Sequence, residues 1–283
     1  MKEDRFTIDG IPAVLYGEES ERVWLFVHGK LGSKEEAAAF AAVAEGAQVL
    51  AVDLPGHGER SGEGIEALVP WNAVPELERV YAYATEHWQH ISLRATSIGC
   101  WFAMLSLDGK PLEKALFVSP VTDMAKLIRD MMGWAGVTEA ELEQKGQIPT
   151  PFGETLDWQY YRYAEEHPVL WDVPTAVLYA GQDNLTSRET IESFTAPEGR
   201  TLTVLEEGEH WFHTDEELRA RAYEDIQRAG RQHAEIRGSE RHAHGEHNDT
   251  QHGGLRIPVH PREPARHKEG QHGHSCDKGG GET

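Results

Sequence analysis

The sequence predicts an α/β protein with a mostly parallel central sheet and helices on both faces. Three observations carry that reading. Short β-rich runs alternate with helical patterns through the first 230 residues. The runs are almost continuously apolar, as strands covered on both faces are. The residues able to do chemistry fall where the runs end, which is where such sheets collect reactive groups.

Taken in order, residues 22–28 (Arg-Val-Trp-Leu-Phe-Val-His) form the first strand and 47–52 the second, which runs into Asp53-Leu-Pro-Gly-His-Gly58. Residues 90–95 form the third, ending in Thr-Ser-Ile-Gly, and 114–118 the fourth. The fifth and sixth are 175–180 and 201–205. Helical patterns occupy 34–45, 74–87, 98–107 and 188–194. An insertion of about residues 122–172 separates the fourth and fifth strands. It is rich in Met and aromatic residues, among them Met131, Met132, Trp134, Phe152, Trp158 and Tyr160.

Composition changes near residue 230. From 231 to 283 the chain is Gly, His, Arg and Glu with almost no large apolar residues, and it holds nine of the sixteen histidines. Such a segment buries too little surface to offset its ordering entropy, so it reads as a disordered tail. His242, His244 and His247, or His272, His274 and Cys276, have the donor types of a metal site, but an appended or poorly constrained extension explains them better. The domain expectation is therefore residues 1–230 plus a tail of 231–283.

The formal net charge of −21 disfavours nucleic acid and anionic membrane as partners, because phosphates would be repelled. Solubility is its plain meaning. The two cysteines, Cys100 and Cys276, lie in regions of unlike character, which argues against a disulfide framework. The opening Met-Lys-Glu-Asp-Arg has no apolar stretch behind it, and no window approaches 18 apolar residues. The expectation is a cytoplasmic protein without a membrane span. Oligomeric state is left open.

The chemistry centres on Ala95-Thr96-Ser97-Ile98-Gly99, which follows a strand and opens a helix. This is the setting of a nucleophile elbow, usually Gly-x-Ser-x-Gly. A sharp turn there pushes the serine Oγ out of the sheet, and small residues two before and two after it let strand and helix backbones approach. Ala95, the smallest substitute, stands where the first glycine is usual. A serine N-cap would look the same in this pentapeptide. A serine also needs a base to remove its proton. Gly181-Gln-Asp183-Asn follows the fifth strand and Gly208-Glu-His210-Trp follows the sixth, so the order is Ser, Asp, His. Asp183 would orient the imidazole and His210 would carry the proton. Asp183 also suits a turn, and His213 is a fallback base. Asp157 and Asp172 are weaker acids, since neither follows a strand in the required place. His28-Gly29-Lys30 follows the first strand; the backbone N–H groups of Lys30 and Ile98 would form an oxyanion hole. His28 and His57 read as structural, and Cys100 as core packing.

Assembled, these residues resemble the α/β-hydrolase superfamily of serine hydrolases over roughly residues 5–230. The resemblance implies the α/β-hydrolase fold, the catalytic set Ser97, Asp183 and His210, and no cofactor or metal. It implies that the 122–172 insertion forms a helical lid, with Met131, Trp134 and Trp211 as candidate substrate contacts. A serine at the elbow argues against relatives that use an aspartate nucleophile. The expected function is a carboxylesterase-like enzyme acting on a small-molecule ester or thioester. A non-catalytic ligand-binding or sensor protein on the same fold is the alternative; peptide cleavage finds no firm support in the sequence.

Overall fold

The computed structural model describes residues 1–210. Trp211, Phe212, His213 and the whole 231–283 segment, with the histidines and Cys276 named above, lie outside the described residues.

The chain opens with a hairpin absent from the sequence reading: β1 (Glu3–Ile8) pairs antiparallel with β2 (Ile11–Tyr16). Asp9 and Gly10 turn between them, both at positive φ (48° and 83°), which suits the right-handed twist of a two-residue hairpin. An Asp-Gly pair between two strand-like runs is the signal that could have found it. Next come β3 (Arg22–Val27), a short α1 (Ala37–Ala41), β4 (Gln48–Val52), α2 (Pro70–His87), β5 (His90–Thr96), α3 (Ile98–Ser106) and β6 (Ala115–Val118). The insertion follows as α4 (Met124–Ala135), α5 (Glu139–Lys145), the hairpin β7 (Gln147–Pro149) and β8 (Thr155–Asp157), and α6 (Trp158–Glu166). β9 (Thr175–Ala180), α7 (Arg188–Thr195) and β10 (Arg200–Leu205) complete the described chain.

The main sheet has eight strands in the order β1-β2-β4-β3-β5-β6-β9-β10. All pairings from β4 to β10 are parallel; those of β2 with β1 and with β4 are antiparallel. Strand alternation feeds two cores. Val23, Leu25 and Val27 of β3 face a core shared with α2 and α3, while Trp24 and Phe26 face Phe40 of α1. The parallel, doubly covered sheet expected from the sequence is thus present.

Two helices differ from expectation. Residues 34–45 contain a 3₁₀ turn and then only the five residues of α1. The segment closes early in tighter turns, with the Val43 N–H on the Phe40 carbonyl at 3.0 Å, and Gly46 at φ 70° takes the chain away. α2 begins at Pro70, four residues before the expected start, where proline forfeits no intrahelical bond; Pro75, in the second turn, removes one.

The loops after β3 and β4 are locked together. Lys34 is buried, with its Nζ 2.6 Å from Asp53 Oδ2 and 2.7 Å from Glu59 Oε1. Burial alone would lower its pKa, but the bonds from Asp53 and Glu59 outweigh that and raise it. Asp53 Oδ1 accepts from the Lys34 N–H at 2.9 Å and Oδ2 from the Glu59 N–H at 3.0 Å. His28 sits beneath the same loops. Its Nδ1–H donates to the Gly29 carbonyl at 2.7 Å, so Nε2 is the acceptor for the Leu54 N–H at 3.0 Å. His57 works in the same way: Nδ1–H to the Pro55 carbonyl, Nε2 from the Leu31 N–H at 3.0 Å. That last bond holds Leu31 at a positive φ of 66° that leucine rarely adopts.

Lys34→Met leaves the Asp53 carboxylate buried without its cation, so it lowers the unfolding free energy by about 3 kcal/mol, read from denaturant midpoints. His28 supplies a pH dependence. Burial holds its pKa down at about 4. The unfolded chain therefore binds a proton that the folded chain refuses, and stability falls as pH drops from the ordinary value of 6.5 toward about 4. The linkage contributes about 3 kcal/mol across that window. Unfolding curves of wild type and His28→Gln over this range check it: the wild type loses stability more steeply, and parallel losses would assign the effect to other groups.

Candidate active site

β5 delivers its last residue to the top of the sheet, and α3 starts two residues on. Ser97 between them has φ 52° and ψ −126°, a conformation costly for serine and fixed from several sides. Its N–H donates to the Val118 carbonyl of the next strand at 3.0 Å. Its carbonyl accepts from the N–H groups of Cys100 and Val121, both at 3.1 Å. Its side chain makes no capping bond. Close approach explains the small residues around it. A Cβ at position 99 would lie 2.3 Å from the His28 carbonyl oxygen, so only glycine fits there. Ala95 is fully buried within β5, so a methyl is tolerated where the usual pattern has glycine. Cys100 is buried and its thiol pKa is pushed up by that burial, which keeps it protonated and unreactive.

Three residues expected from the sequence come together. Ser97 Oγ lies 2.9 Å from His210 Nε2, and His210 Nδ1 lies 2.7 Å from Asp183 Oδ2. A carboxylate only accepts, so Nδ1 carries the proton and Nε2 presents its lone pair to the serine hydroxyl. The other oxygen of Asp183 accepts from the backbone N–H groups of Leu185 (2.8 Å) and Thr186 (3.0 Å). The turn chemistry and the bond to the imidazole are thus both present, one on each oxygen. The side chains of His210 and Asp183 are almost fully buried, at 1% and 0% exposure. β9 and β10 position this pair: Gly181 N–H donates to the Leu205 carbonyl at 2.7 Å and Gln182 N–H to the Gly208 carbonyl at 2.9 Å. Asp157 is not near it; that carboxylate caps α6, accepting from the Tyr160 N–H at 2.8 Å.

The loop after β3 lies against the serine. A Cβ on Gly29 would stand 3.2 Å from the Ser97 Cβ. The Lys30 side chain leaves this loop to meet the insertion, where its Nζ is 2.6 Å from both carboxylate oxygens of Glu154, 124 residues away. Sequence reasoning left Glu154 unmarked, and nothing local marks it, since its partner is so distant in the chain. Above α3, the Tyr160 ring stacks on Trp101 at 5.7 Å and meets Trp71 edge-on at 6.2 Å. Of the candidate substrate contacts, Met131 packs against the main core. Trp134 is 53% exposed, with its ring 6.0 Å from that of Phe152. Trp211 lies outside the described residues.

No protein-family description matches the chain, and no curated protein matches it. Solved structures do. The esterase Est1E from Butyrivibrio proteoclasticus, solved with ferulic acid bound, superposes with a TM-score of 0.63 at 18% identity, covering 80% of this chain and 98% of its own. Alpha/beta hydrolase domain-containing protein 10 from mouse gives 0.61 at 12% identity, covering 84% and 99%. A thioesterase domain from the curacin biosynthetic pathway gives 0.53 at 18%, covering 80% and 99%. Together with the eight-stranded sheet and its flanking helices, these likenesses show that the protein has the α/β-hydrolase fold.

Proposed function

We propose that the protein is a serine hydrolase that cleaves a carboxylic ester or thioester through an acyl-enzyme on Ser97. The observation that carries this is the hydrogen-bonded chain Asp183–His210–Ser97, seated on a strained strand-to-helix turn. Esterases and a thioesterase among the structures of similar fold support a hydrolase that acts on acyl bonds of this kind.

In this reading Ser97 Oγ attacks the acyl carbonyl while its proton passes to His210 Nε2. Asp183 holds the ring in the tautomer that can receive it and stabilises the imidazolium that results. The backbone N–H groups of Lys30 and Ile98 stabilise the oxyanion; loss of one such donor costs roughly 3 kcal/mol in the transition state. The carbonyl re-forms, the alcohol or thiol leaves with the proton from His210, and a water activated by the same base releases the acid. No cofactor is needed for any step. The catalytic unit is residues 1–230, with the 122–172 insertion as a lid and the 231–283 tail outside it. A reducing, cytoplasmic setting is part of this proposal, since the two cysteines lie in regions of unlike character. Among the described residues no helix is long and apolar enough to cross a membrane.

Ser97→Ala and His210→Ala each lower kcat on p-nitrophenyl acyl esters or acyl thioesters by about ten-thousand-fold or more, with the fold retained by circular dichroism. A fluorophosphonate labels Ser97 in the wild type alone. Hydrolysis surviving in folded Ser97→Ala would end the assignment, and a folded wild type that neither turns over nor labels would favour a ligand-binding role. A chain ending after residue 235 keeps the wild-type kcat/KM; a large loss would place part of the tail in the site.

A further inference from the structure

The hydroxyl oxygen of Tyr160 is buried and has no hydrogen-bond partner among the described residues. Buried hydroxyls are nearly always paired, because stripping one of water without a replacement is costly. Tyr160 cannot turn away to find a partner. Its backbone is fixed at the start of α6 by Asp157, and its ring is stacked on Trp101 and braced by Trp71. A phenylalanine would make the same ring contacts. The hydroxyl is therefore the feature that packing leaves unexplained.

Its position supplies an explanation. Trp101 stands on α3 four residues beyond Ser97, about one helical turn. Glu154 is near enough for its charge to act on the phenol, and its carboxylate grips Lys30, the neighbour of the glycine that lies against Ser97. The ring that carries the unpaired donor thus packs on the helix that begins beside Ser97.

We propose that Tyr160 is a specificity-determining residue, whose hydroxyl donates a hydrogen bond to a neutral acceptor oxygen that the substrate carries in addition to its scissile carbonyl. The inference rests on the hydrolase reading above and deepens it. The surrounding charges choose the kind of acceptor. Lys30 and Glu154 neutralise each other, so this pair offers no unbalanced cation to hold a carboxylate. Burial, reinforced by Glu154, holds the phenol pKa well above its ordinary value, so the group remains a proton donor. A keto, ether or hydroxyl oxygen fits these conditions and a carboxylate does not.

The test compares p-nitrophenyl pentanoate with keto and methoxy analogues whose extra oxygen is moved along the acyl chain. kcat/KM is measured in wild type and Tyr160→Phe, and Kd for the same esters in Ser97→Ala and in Ser97→Ala/Tyr160→Phe. The wild type prefers at least one oxygenated ester over pentanoate. Tyr160→Phe cuts that preference about tenfold, chiefly through KM, and the Kd ratio shifts alike. The Tm of Tyr160→Phe does not fall, because the lost hydroxyl had no partner. Equal preference in the two proteins, a wild type with no preference, or a clear drop in Tm overturns the proposal while ordinary turnover leaves the hydrolase reading standing. If the wild type neither turns over an ester nor labels with the fluorophosphonate, yet the Kd preference still depends on the hydroxyl, the hydrolase reading falls and the Tyr160 site stands.

Discussion

Residue 99 has no room for a side chain, and much of the upper face of the molecule is arranged around that fact. The backbone of the loop after β3 runs directly over the first turn of α3, with the His28 carbonyl where a β-carbon would be. The same loop sets Gly29 against Ser97, whose own turn is strained. The His28 ring is buried beneath this loop and stays neutral, accepting from Leu54. Through Leu54 the loop after β4 is fixed, and through His57 that loop holds Leu31 in its unfavourable conformation. A packing constraint between two backbones thus propagates by hydrogen bonds into a rigid rim around the serine.

The charge distribution works on the same loops. The chain carries a net charge of −21, yet two of its lysines near the rim point inward or sideways rather than to water. Lys34 is sequestered by Asp53 and Glu59 and joins the two loops from below. Lys30 joins the upper loop to the insertion through Glu154, with both partners partly exposed. The buried pair is stiff because separation would strand a charge, whereas the half-exposed pair is screened and more easily parted. The rim is consequently anchored firmly to the sheet and more lightly to the insertion above it.

Much of this was legible in the sequence. Apolar runs gave the six strands of the parallel part of the sheet, and their ends gave Ser97, Asp183 and His210, which the structure joins by hydrogen bonds. What was not legible was of two kinds. The first hairpin was overlooked, although Asp9-Gly10 carries its signal in the local chain. The Lys34–Asp53 and Lys30–Glu154 pairs had no such signal, because a lysine destined for burial looks like a solvated one until the fold brings its carboxylate near. Tyr160 could be named as an aromatic of the insertion, but that its hydroxyl would be unpaired depends on the orientation of α6 against α3.

The pairing of Lys30 with Glu154 bears on the end of the reaction as well as its beginning. A hydrolase of the kind proposed leaves a carboxylate in its site, and a cation beside the oxyanion loop would hold that anion back. Here the lysine of that loop is already committed to Glu154, and the protein around it is strongly acidic. In the proposed reaction the departing acid would meet no unbalanced positive charge from this lysine, so the ion pair that ties the loop to the insertion would also favour product release.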